Sequence, residues 1–250
     1  MRELLNQFAA SELTNLIHRL ELLPVLLRGQ QEEAIADLVD CSESELIEEE
    51  KVVLGGQSRA EYIQARNWLE ADMDLKVRCC LALKLYAKQH YGPGLEDVFL
   101  RSHGKRDKVI YSMLRVKERG LARELYLRIM EGEITFPDAS SQFGQGSEAQ
   151  HKGVLGPMPI GSIYPPVISD WLRSLKPGEV KPPEHLGEWH FIMRLEQLTP
   201  ARLDDPMRQT LLDEQMNEFL DDRVKRLLKG DIIDPLHYHQ LSKPGEEEKS

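Results

Sequence analysis

The sequence lacks any long hydrophobic run. Its apolar stretches fall well short of the ~18 consecutive residues that indicate a membrane-spanning helix, so we expect no membrane insertion. Positive charge is also scarce, because 32 Lys and Arg stand against 42 Asp and Glu and give a formal net charge of −10. Nucleic acids and anionic lipid surfaces attract clustered positive charge. The composition therefore disfavours nucleic acid as a partner.

Cysteine is rare as well, with three in 250 residues. Cys79 and Cys80 are adjacent in a helical pattern, and this spacing fits neither a disulfide framework nor a metal site. We therefore expect reduced thiols, no metal and no other cofactor. The first residues, M-R-E-L-L-N-Q-F, carry an early acid and no apolar segment typical of a secretory signal, so the expected localisation is cytoplasmic.

The first part of the chain, residues 1–105, has helical patterns throughout. Apolar residues recur at the 3.6-residue spacing of one helix face near its start: Leu13, Leu16, Ile17 and Leu20. Ser42 with Glu45, and Ser58 with Glu61, form two S-x-x-E capping boxes, which mark helix starts. The pattern predicts a small helical module.

The periodicity changes near residue 109. Val109 to Val116 is rich in β-branched and aromatic residues and predicts a strand. A second strand is predicted from Trp189 to Leu195, with its aromatic and long apolar side chains on one face: Trp189, Phe191, Met193 and Leu195. Helical patterns lie between these strands, so the fold class is predicted to be α+β.

The end of the chain predicts one long helix followed by a polar tail. Residues 204–229 are amphipathic, with Pro206 in the first turn, where proline is tolerated. Residues 243–250 are charged and lack apolar side chains, so we expect a disordered tail.

Four short motifs between Phe136 and Glu196 carry the strongest functional signal: F-P-D-A-S-S-Q-F, K-G-V-L-G-P, L-K-P-G-E-V-K-P-P and G-E-W-H-F-I-M-R-L-E. In this order and at these spacings they resemble the parvulin-type peptidyl-prolyl cis-trans isomerase domain. The positions that match the family pattern are Gly153, Leu155, Gly156, Gly178, Glu179, Val180, Gly187 and His190.

The resemblance implies an arrangement for the whole chain. A parvulin-like domain over residues 106–200 would hold a four-stranded antiparallel sheet surrounded by helices. The helical module of residues 1–105 and the helix within residues 201–250 resemble the SurA/PrsA-type foldases, in which helices from both chain ends form one chaperone-like module. The whole chain also resembles cytosolic cyanobacterial peptidyl-prolyl isomerases that have a SurA-like N-terminal region.

The resemblance also implies a site. Members of the family hold the proline ring on an apolar floor beside a polar cluster. His190 matches the last-strand histidine and is the predicted catalytic residue. Met113 stands at the first-strand histidine position, Gly146 at the Cys or Asp position, and Gly187 at the Ser or Thr position. The predicted substrate-binding residues are Met113, Leu155, Met158, Ile163 and Val167.

Because family members present two histidines side by side, we expect His190 and Met113 to lie on one sheet face. Two plainer interpretations stay open at this point. His190 could equally be a half-buried histidine that donates a hydrogen bond to a backbone carbonyl. The floor residues could equally be ordinary core.

Two functions follow from the resemblance. The first is a peptidyl-prolyl isomerase or foldase that acts on proline-containing segments of unfolded or secreted client proteins. The second is a catalytically degenerate chaperone or secretion adaptor that binds peptide without isomerising it. Unfolded polypeptide is the expected partner in both cases, and a component of a secretion machinery is a further candidate partner.

Overall fold

The computed structural model describes residues 9–238, so the predicted tail at residues 243–250 lies outside the described part. Contacts divide the chain into two compact units. The helical unit comprises the residues up to Glu96 together with those from Asp205 onward. The sheet unit comprises Asp97–Asp204.

The helical unit is built from α1 to α5, the start of α6, and the long helix α10. Both predicted capping boxes are present, since the hydroxyl oxygens of Ser42 and Ser58 accept hydrogen bonds from the backbone N–H groups of Glu45 and Glu61. The bounds are α1 Ala10–Arg19, α2 Leu23–Leu38, α3 Glu43–Leu54, α4 Arg59–Arg66, α5 Glu70–Tyr91, α6 Leu95–Arg106 and α10 Asp205–Lys229.

Helices α2 and α5 pack on one another, and α10 packs on both. The buried apolar side chains of α10 are Leu211, Leu212, Met216, Leu220 and Val224. A buried hydrogen bond of 2.8 Å from Arg223 Nε to Gln31 Oε1 also joins α10 to α2. The long helix α10 therefore shares one core with α2 and α5, although these helices are far apart in the sequence. No helix among the described residues is long and apolar enough to cross a membrane.

The sheet unit contains a four-stranded antiparallel sheet in the order β2-β1-β4-β3. The α+β class and the four-stranded antiparallel sheet predicted from the sequence are confirmed. The bounds are β1 Lys108–Val116, α7 Arg119–Met130, α8 Phe136–Phe143, β2 Val154–Pro159, α9 Pro166–Arg173, β3 Val180–Leu186 and β4 Trp189–Thr199.

The sheet has two apolar faces. Since side chains alternate along a strand, the pairing of Met113 with Met193 puts odd-numbered residues of β1 and β4 on one face. Helix α9 covers that side, here called the α9 face, whose buried strand residues are Val109, Tyr111, Met113, Phe191, Met193 and Leu195. Helices α7 and α8 cover the opposite side, called the α7 face, whose buried strand residues are Leu114, Val116 and Ile192.

Candidate functional site

The five predicted substrate-binding residues lie in one apolar cluster on the α9 face. Met113 and Ile163 are buried, with 8% and 7% of their surface exposed. The side chains of Leu155, Met158 and Val167 are half-buried and pack against the same cluster. Two of the five predicted residues are therefore core, and the other three still reach solvent.

Strand pairing and a tight turn place these side chains. Leu155 of β2 is the register partner of Tyr111 in β1. The following residue, Gly156, has a φ of +104°, and a Cβ there would lie 2.4 Å from the backbone oxygen of Val109. Only glycine fits this close approach without a shift of the chain. The glycine that the motif requires therefore brings β2 against β1 and sets the position of Leu155.

Val167 takes its position from the start of α9. Pro166 is the first residue of this helix, where proline is favoured because it has no N–H to satisfy. The buried residues Ile168 and Leu172 of α9 join the same cluster as Met113. Val167 precedes them by part of a turn and remains half-buried at the margin of the cluster.

His190 lies on the opposite face, so the prediction that it shares a face with Met113 is wrong. Its register partner in β1 is Val116, a buried member of the α7 face. A shift of one residue along a strand moves a side chain to the other side of the sheet. The β4 residue on the α9 face next to Met193 is instead Phe191, which is 5% exposed. The apolar floor and the predicted catalytic histidine are separated by the sheet.

The histidine side chain has its own surroundings. His190 Nδ1 lies 3.2 Å from the backbone oxygen of Lys117, which accepts a hydrogen bond only from a protonated ring nitrogen. The ring of His185, its register partner in β3, lies 4.8 Å away between centroids. This carbonyl contact matches the structural interpretation of His190 that the sequence left open.

A polar group does adjoin the α9 face, formed by residues that the sequence did not single out. Arg115 lies two residues after Met113 in β1, so the two residues belong to the same face of the sheet. Its Nε lies 3.2 Å from Oε1 of Glu148 in an ion pair without an aligned hydrogen bond. The carboxylate side chain is 2% exposed and the guanidinium side chain 28%. Arg115 also lies over the Trp189 ring, 5.3 Å from its centroid. A charge pair with a buried carboxylate and a partly exposed guanidinium thus adjoins the apolar floor.

The same pair explains the glycine at position 146. A Cβ there would lie within 2.1 Å of both Arg115 Nε and Glu148 Oε2, so the ion pair fills the space of a side chain. In the sequence, two features pointed to Glu148: position 146 is a glycine, and an acidic residue follows it two positions later. The signal for Arg115 was a charge two residues after Met113 in a strand.

Tyr111 contributes a phenol to the same face. Burial raises the pKa of Tyr111, and the nearby negative charge of Glu148 raises it further. The phenol is therefore neutral at physiological pH and retains its O–H as a donor. Tyr111 is 4% exposed, so its ring belongs to the buried part of the cluster.

No protein-family model matches the chain, and no curated protein matches it. Solved structures do match. A peptidylprolyl isomerase (PrsA) from Bacillus cereus is 17% identical, with 91% of this chain and 89% of that chain covered and a TM-score of 0.45. The foldase protein PrsA from Streptococcus pneumoniae is 12% identical, with 91% of each chain covered and a TM-score of 0.45.

A SurA-like chaperone of Campylobacter jejuni is 13% identical, with 78% of this chain and 96% of that chain covered and a TM-score of 0.37. These names coincide with the foldase group that the sequence motifs resemble. Because the three identities do not exceed 17% and the TM-scores lie below 0.5, we carry no activity and no residue role over from these structures.

Proposed function

We propose that this protein is a foldase or chaperone that binds proline-containing segments of unfolded polypeptides on the α9 face. The observation that carries the proposal is the apolar cluster there, whose half-buried members include the predicted residues Leu155, Met158 and Val167. A proline ring is apolar and rigid, so its burial against such a surface is favourable and costs little side-chain entropy.

The geometry favours binding over histidine-assisted catalysis. Rotation about an X-Pro bond must cross a barrier of ~18–20 kcal/mol, and only groups that favour the twisted amide lower it. Among the described residues of the α9-face cluster there is no histidine, since Met113 and Phe191 occupy the two strand positions. His190 faces the other way. We therefore place the binding module ahead of the isomerase.

An isomerase is the second candidate, and one observation favours it. Tyr111, Arg115 and Glu148 provide a neutral hydroxyl and a charge pair on or beside the face that holds the floor. A twisted amide has a more basic nitrogen and a carbonyl with less resonance, and both accept hydrogen bonds. A cluster of this kind is an alternative to histidine. A cytoplasmic location and a partner in a secretion machinery remain proposals from the sequence.

Two assays on the full chain separate these functions. The first measures suppression of aggregation of a reduced, unfolded client at increasing molar ratios of the protein. The second measures the rate of a refolding step limited by proline isomerisation, with the protein present in catalytic amounts. We expect suppression near stoichiometric ratios and no acceleration of refolding.

One result of the refolding assay would overturn the first candidate. Acceleration of the proline-limited step that increases linearly with a small amount of protein would make the chain an isomerase. Tyr111→Phe then tests the second candidate, because it removes only the hydroxyl and keeps the ring that fills the core. Unchanged acceleration in that variant would remove Tyr111 from the mechanism.

A further inference from the structure

A concave site lies in the sheet unit, on the side opposite the apolar floor. It is a cleft of about 730 Å³ between α7 and the β3–β4 hairpin. Helix α7 and the hairpin both contribute residues to its lining. The polar and charged ones include Arg119, Arg123 and Tyr126 of α7, and His185 and His190 of the hairpin. The cleft is thus an open feature of one unit, and the proposed function does not use it.

The cleft carries positive charge without internal compensation. Arg119 and Arg123 lie one helical turn apart on α7, both exposed, and neither forms an ion pair with any residue between 9 and 238. The acid that lines the cleft, Glu184, already pairs with Lys181 at 3.1 Å. The net charge of the whole chain is −10. Two arginines without an ion-pair partner in the described part of the chain therefore give this cleft a positive charge, opposite in sign to that of the chain as a whole.

Apart from Leu127, the uncharged side chains that line the cleft contain rings. Pro182 and Pro183 of β3 form one wall, and Tyr126 of α7 belongs to the other. Strand β3 is at the edge of the sheet, and proline there supplies no N–H for an added strand. A ligand at this edge is therefore recognised through its side chains rather than through strand pairing at the two prolines.

We propose that this cleft binds an acidic polypeptide segment, with its carboxylates on the two arginines and its side-chain stems against the rings. Arginine presents a planar fork of N–H donors that matches a carboxylate, and such pairs are among the stronger charge-assisted hydrogen bonds. The imidazoles of His185 and His190 line the opposite wall, and their ring nitrogens are further hydrogen-bonding groups there. The cleft is thus a separate acidic-peptide site on the α7 face.

The test uses the full chain and a fluorescein-labelled decapeptide made of Gly, Ser and four Glu residues. This peptide has no proline and no apolar residue, so the α9 face does not contribute to its binding. Fluorescence anisotropy should show saturable binding that weakens as salt rises, because partly exposed charge pairs are screened. A peptide with Gln in place of Glu should bind at least roughly tenfold more weakly.

The double variant Arg119→Gln with Arg123→Gln should weaken binding of the Glu peptide by roughly three- to tenfold, as expected for two partly exposed ion pairs. The matched control is Arg101→Gln, which removes an exposed arginine of the same unit outside the cleft and should leave the affinity unchanged. Circular dichroism melts of all three proteins show whether the fold is kept.

Three results would overturn the proposal. Equal affinity for the Glu and Gln peptides would show that carboxylates are not recognised. An unchanged affinity in the double arginine variant would place the peptide elsewhere. Displacement of a bound anionic dye by inorganic phosphate, without binding of the Glu peptide, would assign the cleft to phosphate. None of these results affects the proline-peptide site, which is measured with uncharged proline peptides.

Discussion

Replacement of Val167 by alanine distinguishes a peptide-binding floor from ordinary core. The side chain lies half-buried at the margin of the α9-face cluster, in the first turn of α9. Alanine removes two carbon atoms and is the better helix former, so the helix itself is retained. The variant therefore changes the proposed binding surface with little effect on the fold.

The expected magnitude follows from the area that a ligand can still cover. Full burial of two methyl-sized groups contributes about 1.6 kcal/mol at ~0.8 kcal/mol each. Val167 is already largely buried in the free protein, so a bound peptide gains at most about a third of this value, ~0.5 kcal/mol. That corresponds to a Kd increase of about twofold. The effect is small but within the range of a careful titration.

The assay is fluorescence anisotropy with an uncharged labelled peptide that contains repeated Leu-Pro pairs. Val154→Ala is the matched control, because Val154 pairs with Ser112 and lies on the other side of β2 from Leu155. Its side chain is 42% exposed, so the control also removes two carbons from a partly exposed valine. An equal Kd for wild type and Val167→Ala, or an equal loss in both variants, would refute the assignment of the floor.

Five further outcomes are expected. His190→Ala should leave the affinity for the uncharged proline peptide and the rate of proline-limited refolding unchanged, because this side chain lies behind the sheet. In urea denaturation, Arg115→Leu should destabilise the sheet unit by about 3 kcal/mol, since it leaves the buried carboxylate of Glu148 unpaired. Glu148→Leu should cost only about 1 kcal/mol, because the arginine side chain still reaches water. Burial raises the pKa of the Cys79 thiol to about 11, so about 0.1% is thiolate at pH 8 and alkylation of Cys79 should speed up as pH rises above 9. Removal of residues 205–250 should lower the melting temperature of the helical unit, because α10 supplies five buried apolar side chains to its core.

The local features of the fold could be predicted from the sequence. The capping boxes at Ser42 and Ser58 fix helix starts through hydrogen bonds that span three residues, so neighbouring residues suffice to predict them. The helical pattern between the two predicted strands is also local, and one of its helices, Phe136–Phe143, spans the F-P-D-A-S-S-Q-F motif. The alternation of Trp189, Phe191 and Met193 along β4 was also visible, because it depends only on the period of an extended chain.

The composition of the candidate site depended on contacts between distant parts of the chain. The alternation along β4 predicts that His190 and Phe191 point to opposite sides, but it does not say which side Met113 shares. That choice is made by the register of β1 on β4, which pairs Met113 with Met193. Since β4 carries apolar residues on both faces, the hydrophobic pattern alone does not specify this register.

The buried ion pair is the second feature that only the tertiary structure decided. Arg115 and Glu148 are 33 positions apart, and each alone is an ordinary charged residue in the sequence. They meet because the loop after α8 folds back on β1, where Gln145 N–H donates to the backbone oxygen of Arg115 at 3.0 Å. Gly146 leaves room for the pair. Sequence determined the elements and the alternation along each strand, while long-range packing decided which polar groups adjoin the apolar floor, because strand register and loop closure depend on the whole core.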